Sequence, residues 1–107
     1  MKGDHLGEFE EFVLLAVRAL GPDVYGVPVQ QFVERATGRD VSIGAVYAAL
    51  DRLELKGFVR SVQGDSTPAR GGKRKRLFET TPLGVRTVTR LRQVRERIWR
   101  TIEEGRS

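Results

Sequence analysis

The 107-residue sequence contains no cysteine, one histidine, one tryptophan and one methionine. Without cysteine there are no disulfides and no thiolate chemistry, and an intracellular setting is the expectation. The one histidine, His5, stands beside Asp4 near the N-terminus, and no set of His and carboxylate residues has metal-ligand spacing. No serine has a histidine near it in a nucleophile motif, and Gly71-Gly72-Lys73 lacks the G-x-x-x-x-G-K phosphate-loop spacing. An enzyme, a metal site and a resident cofactor are therefore not expected. Long apolar runs are also missing. The longest, Phe12 to Val17, spans six residues, against the ~18 of a membrane span. Met1–Leu6 is too short and too polar for a signal peptide. A soluble cytoplasmic protein is the expectation.

Charge is present in quantity and unevenly placed. The chain carries 19 Lys and Arg against 14 Asp and Glu, a net of +5. Residues 60–76 hold six bases (Arg60, Arg70, Lys73, Arg74, Lys75, Arg76) and one acid (Asp65), which is the whole excess. The remainder divides into residues 1–57 at −3 and residues 77–107 at +3. A polyanion-binding element on a neutral body is the first functional hypothesis. The length allows one modest core, and a chain this small often completes its core by oligomerising.

Apolar spacing predicts four helices. In Glu8–Leu20, Phe9, Phe12, Val13, Ala16 and Leu20 recur at i, i+3, i+4 and i+7, while Leu14, Leu15 and Val17 extend the apolar surface to most sides. Such a helix is covered from several directions, which suggests a second subunit. Gly21-Pro22-Asp23 ends it. A second helix starts near Gly26–Pro28, presents Val29, Phe32, Val33 and Ala36, and is capped by Gly38. Val41 is a candidate short strand. The third helix has Ser42 as N-cap and Ile43, Val46, Leu50 and Leu53 within an arc of roughly 80°. Its other face carries Ala45, Ala48, Arg52 and Lys56, flanked by Gly44 and Ala49. Phe58–Val62 and Arg76–Thr80 read as a strand pair, with Phe58 and Val62 on one face and Gln63–Lys75 as a long basic loop. Thr81-Pro82 starts a last helix running to about Glu104. Val88, Leu91, Val94, Ile98 and Ile102 share one face, Trp99 sits at its edge, and Arg95 intrudes on it.

Helix, helix, helix, hairpin, helix is the order of a winged helix-turn-helix: mainly α with a small β-hairpin. The division expected is a DNA-binding region over residues 1–81 and a dimerisation helix over residues 82–107. A major groove about 12 Å wide admits one helix. Gly44, Ala45 and Ala48 let the third helix approach it, Ser42 and the helix start offer donors to a phosphate, and Arg52 and Lys56 reach phosphates or bases. Tyr47 lies where its ring packs inward and its hydroxyl points out, although a core-edge tyrosine fits the same spacing. Arg70, Lys73, Arg74, Lys75 and Arg76 would follow the backbone or minor groove. The plainer alternatives are a solvated alanine-rich face and a solubility patch.

Leu6 to Leu15, Tyr25-Gly26, Val41 to Gly57, Thr67-Pro68, Arg70 to Arg76 and Leu83-Gly84 form a combination that resembles the PadR family of transcriptional regulators, and the likeness is to its short subfamily with one C-terminal helix. The resemblance implies a homodimeric repressor that binds an inverted-repeat operator in double-stranded DNA and associates with the nucleoid when bound. It implies dimerisation through the first and last helices, which here places Phe9, Phe12, Val13, Leu91, Val94, Ile98, Trp99 and Ile102 at the interface. It gives Tyr47 a backbone contact. It also implies release by a small-molecule effector, for which Trp99 is the one candidate, as a stacking surface for a flat aromatic compound. The rival readings are a ligand-sensing module with an aromatic pocket at a dimer interface, and a module for non-specific nucleic-acid or protein interaction.

Overall fold

A computed structural model describes residues 5–66 and 74–105. The elements are α1 (Glu8–Leu20), α2 (Gly26–Thr37), α3 (Ile43–Leu55), β1 (Val59–Ser66), β2 (Arg74–Thr80) and α4 (Pro82–Glu103). This is a winged helix-turn-helix with an added C-terminal helix. Caps stand where the sequence places them. The Ser42 hydroxyl accepts the Ala45 N–H at 3.1 Å, and the Thr81 hydroxyl accepts the Gly84 N–H at 3.1 Å. Gly38 closes α2 at φ 71°, a left-handed conformation that needs no Cβ.

α1 is the central helix and touches α2, α3, β2 and α4. Val13, Leu14, Ala16 and Val17 are fully buried against Val29, Val33, Val46, Leu50, Leu53, Phe58 and Phe78. The apolar surface of α1 is thus covered largely by its own chain. Val13, expected at a dimer interface, is core, because four elements of one chain surround its helix. Leu15 and Leu20 keep more than a third of their surface exposed.

Several local expectations shift. Ala49 takes the place of Ile43 in the buried face of α3, where Ile43 at the first turn is 37% exposed. Ala36 is exposed, while Val29 and Val33 carry the core face of α2. Val41 forms no strand. Side chains of α2 satisfy its backbone instead: Gln30 donates to its carbonyl at 2.7 Å and Glu34 accepts its N–H at 3.0 Å. The third strand-like contact is made by Val24, which bridges Phe78. The strands are longer than their apolar cores suggest, and they pair antiparallel from Val59↔Thr80 to Ser66↔Arg74 with an irregularity between Gln63 and Ser66. Phe58 and Val62, expected on one face, differ in burial. Phe58 precedes β1, held by its N–H to the Leu53 carbonyl after the left-handed Gly57, and is buried together with Val59, whereas Val62 is 54% exposed.

α4 divides in two. Gly84 and Val88 are buried in the core, whereas Ile98, Trp99 and Ile102 are each more than half exposed. The chain is elongated as a result, with extents of 59 × 29 × 21 Å.

Gly84 seats α4 directly against the body. A Cβ there would overlap the Phe58 carbonyl oxygen and stand 2.8 Å from Thr80 Cγ2. Gly84→Ala gains about 1 kcal/mol of helix propensity but incurs overpacking of about 3 kcal/mol against a backbone atom. A net loss of roughly 2 kcal/mol in urea unfolding is the expected result, by the difference of those two effects. An unchanged midpoint would show that α4 is not seated on this contact.

Candidate nucleic-acid interface

The first two turns of α3 expose a strip of small residues. Ser42, Gly44, Ala45 and Ala48 are all exposed, while Val46, Ala49 and Leu50 anchor the opposite side. Tyr47 is half-buried at the border. Its ring lies on the start of α2, where a Cβ on Gly26 would come 2.5 Å from Cζ and 2.6 Å from the hydroxyl. The ring also stands 6.4 Å from that of Phe78, tilted at 54°. Glycine at position 26 is what admits the ring. Among the described residues the Tyr47 hydroxyl makes no hydrogen bond.

The basic residues separate into two kinds. Arg52 and Lys56, expected to reach toward DNA, turn toward the first turn of α1. Arg52 Nε donates to Glu10 Oε2 at 2.6 Å, and Lys56 Nζ donates to Glu10 Oε1 at 2.8 Å and to the His5 carbonyl at 2.7 Å. The Lys56 side chain is only 20% exposed, and that of Arg52 is 51% exposed. Burial pushes the Glu10 carboxyl up, but the hydrogen bonds from Lys56, Arg52 and the Gly7 N–H outweigh it and hold the group below the usual carboxylate value. Arg76 is likewise engaged, with Asp51 at 2.7 Å and Glu54 at 2.6 Å on α3. Lys75 differs. It lies over the Tyr25 ring at 3.9 Å and has no carboxylate partner among the described residues. Arg74 belongs to β2 by its backbone, and Arg70 and Lys73 lie outside the described residues.

A second carboxylate, Glu11, is 6% exposed and accepts from both terminal guanidinium nitrogens of Arg95 on α4, Nη2 at 2.7 Å. Arg95, the intruder on the apolar stripe, therefore has a structural partner. The stripe itself is only partly covered. Leu91 and Val94 are half-buried, and Phe9 and Phe12 pack partly against the core. Trp99 is 60% exposed and borders an open groove formed by α4 alone, with Gln93, Glu96, Arg97, Arg100 and Glu103. Glu10, Glu11, Asp51 and Glu54 were not singled out as partners by sequence reasoning. The one signal was the misplaced Arg95.

A family model described as the transcriptional regulator PadR-like family matches residues 14–90. No curated protein matches the chain. Solved structures do. A PadR-like transcription factor from Bacteroides fragilis superposes with a TM-score of 0.75 at 19% identity, covering 90% of this chain and 87% of that one. A PadR-like transcriptional regulator from Bacillus cereus gives 0.69 at 18%, covering 90% and 88%. A PadR family transcription regulator from Clostridium difficile gives 0.61 at 21%, covering 92% and 94%. At these identities the likeness is one of fold.

Glu10 is one of the groups whose ionisation is coupled to folding. Its folded carboxyl titrates below the ordinary 4.5, so the stability it adds is whole above that pH and is lost as pH falls through the lowered folded value. Glu10→Gln is expected to remove about 1–3 kcal/mol at pH 7, the range for hydrogen bonds to charged groups, and to flatten the acid limb of stability against pH. A variant with the wild-type acid limb would show that other carboxylates carry it.

Proposed function

The chain belongs to the PadR-like family of transcriptional regulators, and on that premise we propose that it is a homodimeric repressor of duplex DNA, released by a small molecule. The observation that carries the reading is the small-residue strip of α3, open to solvent beside a basic hairpin. Gly44, Ala45 and Ala48 let the helix backbone approach a major groove, and Ser42 with the start of α3 offers donors to a phosphate. Tyr47 offers its unpartnered hydroxyl to the sugar-phosphate backbone. Lys75, with Arg70, Lys73 and Arg74, supplies the salt-dependent part of the affinity. Residues 1–81 bind DNA and residues 82–107 dimerise. Two copies of α3 then enter successive major grooves of an inverted repeat, about one helical turn apart.

Dimerisation rests on the exposed half of α4. Ile98, Trp99 and Ile102 are each more than half exposed, Leu91 and Val94 continue the stripe along the helix, and Phe9 and Phe12 are the residues of α1 that would join it in the pairing. Pairing two such stripes encloses Trp99 between subunits, where it becomes a stacking surface for a flat aromatic effector. The protein acts in the cytoplasm, at the nucleoid when bound.

Selection of duplexes from a random pool tests the reading directly: a repressor of this kind enriches an inverted repeat, and a pool that stays random rules it out. On the selected duplex, Lys73→Ala with Arg74→Ala is expected to weaken binding to all sequences and to lower the salt slope by about 1–2, at ~0.9 per phosphate contact. An unchanged slope removes the hairpin from the interface. Ile98→Glu with Ile102→Glu is expected to convert a micromolar dimer into a monomer in sedimentation, and a monomeric wild type would refute the pairing. Stoichiometric quenching of Trp99 fluorescence by flat aromatic compounds is the expected sign of the effector, and its absence across a compound library counts against release at this site.

A further inference from the structure

We propose that Arg76 is a positioning residue, which sets the hairpin against α3 and acts on DNA only through that placement. The inference rests on the duplex-binding reading above. Arg76 stands on β2 beside Lys75, and by sequence alone the two are equivalent members of one basic run. Their surroundings are not equivalent. All three guanidinium nitrogens of Arg76 are engaged: Nη1 donates to Asp51 Oδ1 at 2.7 Å, Nη2 to Glu54 Oε1 at 2.6 Å and Nε to Ser61 Oγ at 3.3 Å. Its carbon lies 4.8 Å from the Phe78 ring centroid, so the plane is held from one side as well as along its edge.

Glu54 completes the connection. Its second oxygen accepts both the Ser61 hydroxyl at 2.8 Å and the Ser61 N–H at 3.1 Å. One guanidinium and one carboxylate thus join α3, β1 and β2. The charges follow the same logic. The Ser61 hydroxyl, with Arg76 after it, keeps the Glu54 carboxyl below its usual value although burial opposes this. Arg76 with Asp51 and Glu54 sums to −1, so the cluster has no positive charge to exchange for counterions at a phosphate. Lys75 has no such carboxylates among the described residues. What Arg76 has to give is geometry: the hairpin bases and the small-residue strip belong to different elements, and this cluster sets their relative placement.

The distinction is measurable with the full-length chain, a duplex selected from a random pool and a random duplex as competitor. A backbone contact removed by Arg76→Gln would lower the salt slope by ~0.9 and leave the ratio of selected to random affinity unchanged. The positioning role predicts the reverse: a slope equal to that of the wild type and a ratio reduced about tenfold, the size of one base-pair mismatch. Arg76→Lys, which keeps the charge and can hold one carboxylate, is expected to recover part of the ratio. Glu54→Gln is expected to reduce the ratio as well, although it makes the interface more positive. Should Arg76→Gln lose its far-UV dichroism, Glu54→Gln decides alone. A lowered slope with an intact ratio in Arg76→Gln, or an intact ratio in Glu54→Gln, overturns the assignment. A wild-type chain with no preference for any duplex is a different failure: it refutes the duplex reading, and the positioning role falls with it.

Discussion

Two neighbouring carboxylates in the first turn of α1 hold the outer elements to the central helix. Glu10 takes Arg52 from α3 and Lys56 from its C-cap, and Glu11 takes Arg95 from α4. Both acids are nearly buried, at 7% and 6% exposure, so each requires its cation. Adjacent residues of a helix point about 100° apart, which is why one turn can address two different elements. The orientation of α3 and the orientation of α4 are thereby referred to the same pair of residues. Apolar burial supplies most of the driving force for this core, but it is non-directional. The ion pairs supply direction.

α3 is consequently held by charges along its C-terminal half and left open along its N-terminal half. Arg52 and Lys56 tie it to α1, while Asp51 and Glu54 tie it to the hairpin. Glycine and alanine dominate the exposed part of the first turns, where nothing projects far enough to form such a tie. A helix offered to a groove needs rigid seating at one end and a low profile at the other. These residues divide the two requirements along thirteen positions.

The fold was legible in the sequence because its signals are local. Ser42 and Thr81 cap helices by bonds that span three residues, and the end of α2 at Gly38 needs only a residue without a Cβ. The small-residue strip is equally readable from helical spacing. The roles of the charged residues were not. Lys56 meets Glu10 from 46 positions away, Arg95 meets Glu11 from 84, and Arg76 meets Asp51 from 25. No periodicity encodes such partners, and a basic residue looks the same in sequence whether it faces a phosphate or a buried glutamate. The different burial of Phe58 and Val62 has a similar cause. Phe58 belongs to the turn that ends α3, so the alternation of β1 does not carry its burial on to Val62.

The contact between Gly26 and Tyr47 also has a meaning for how such a chain can change. The ring occupies the volume that any side chain at position 26 would take. The two positions therefore share one space, and their sizes are not independent variables. A larger residue at 26 requires the ring at 47 to swing aside or to be replaced by a smaller side chain, and either change would alter the one aromatic side chain of α3 beside its exposed strip. Drift at the start of α2 is confined in this way by a residue 21 positions later, on a different helix.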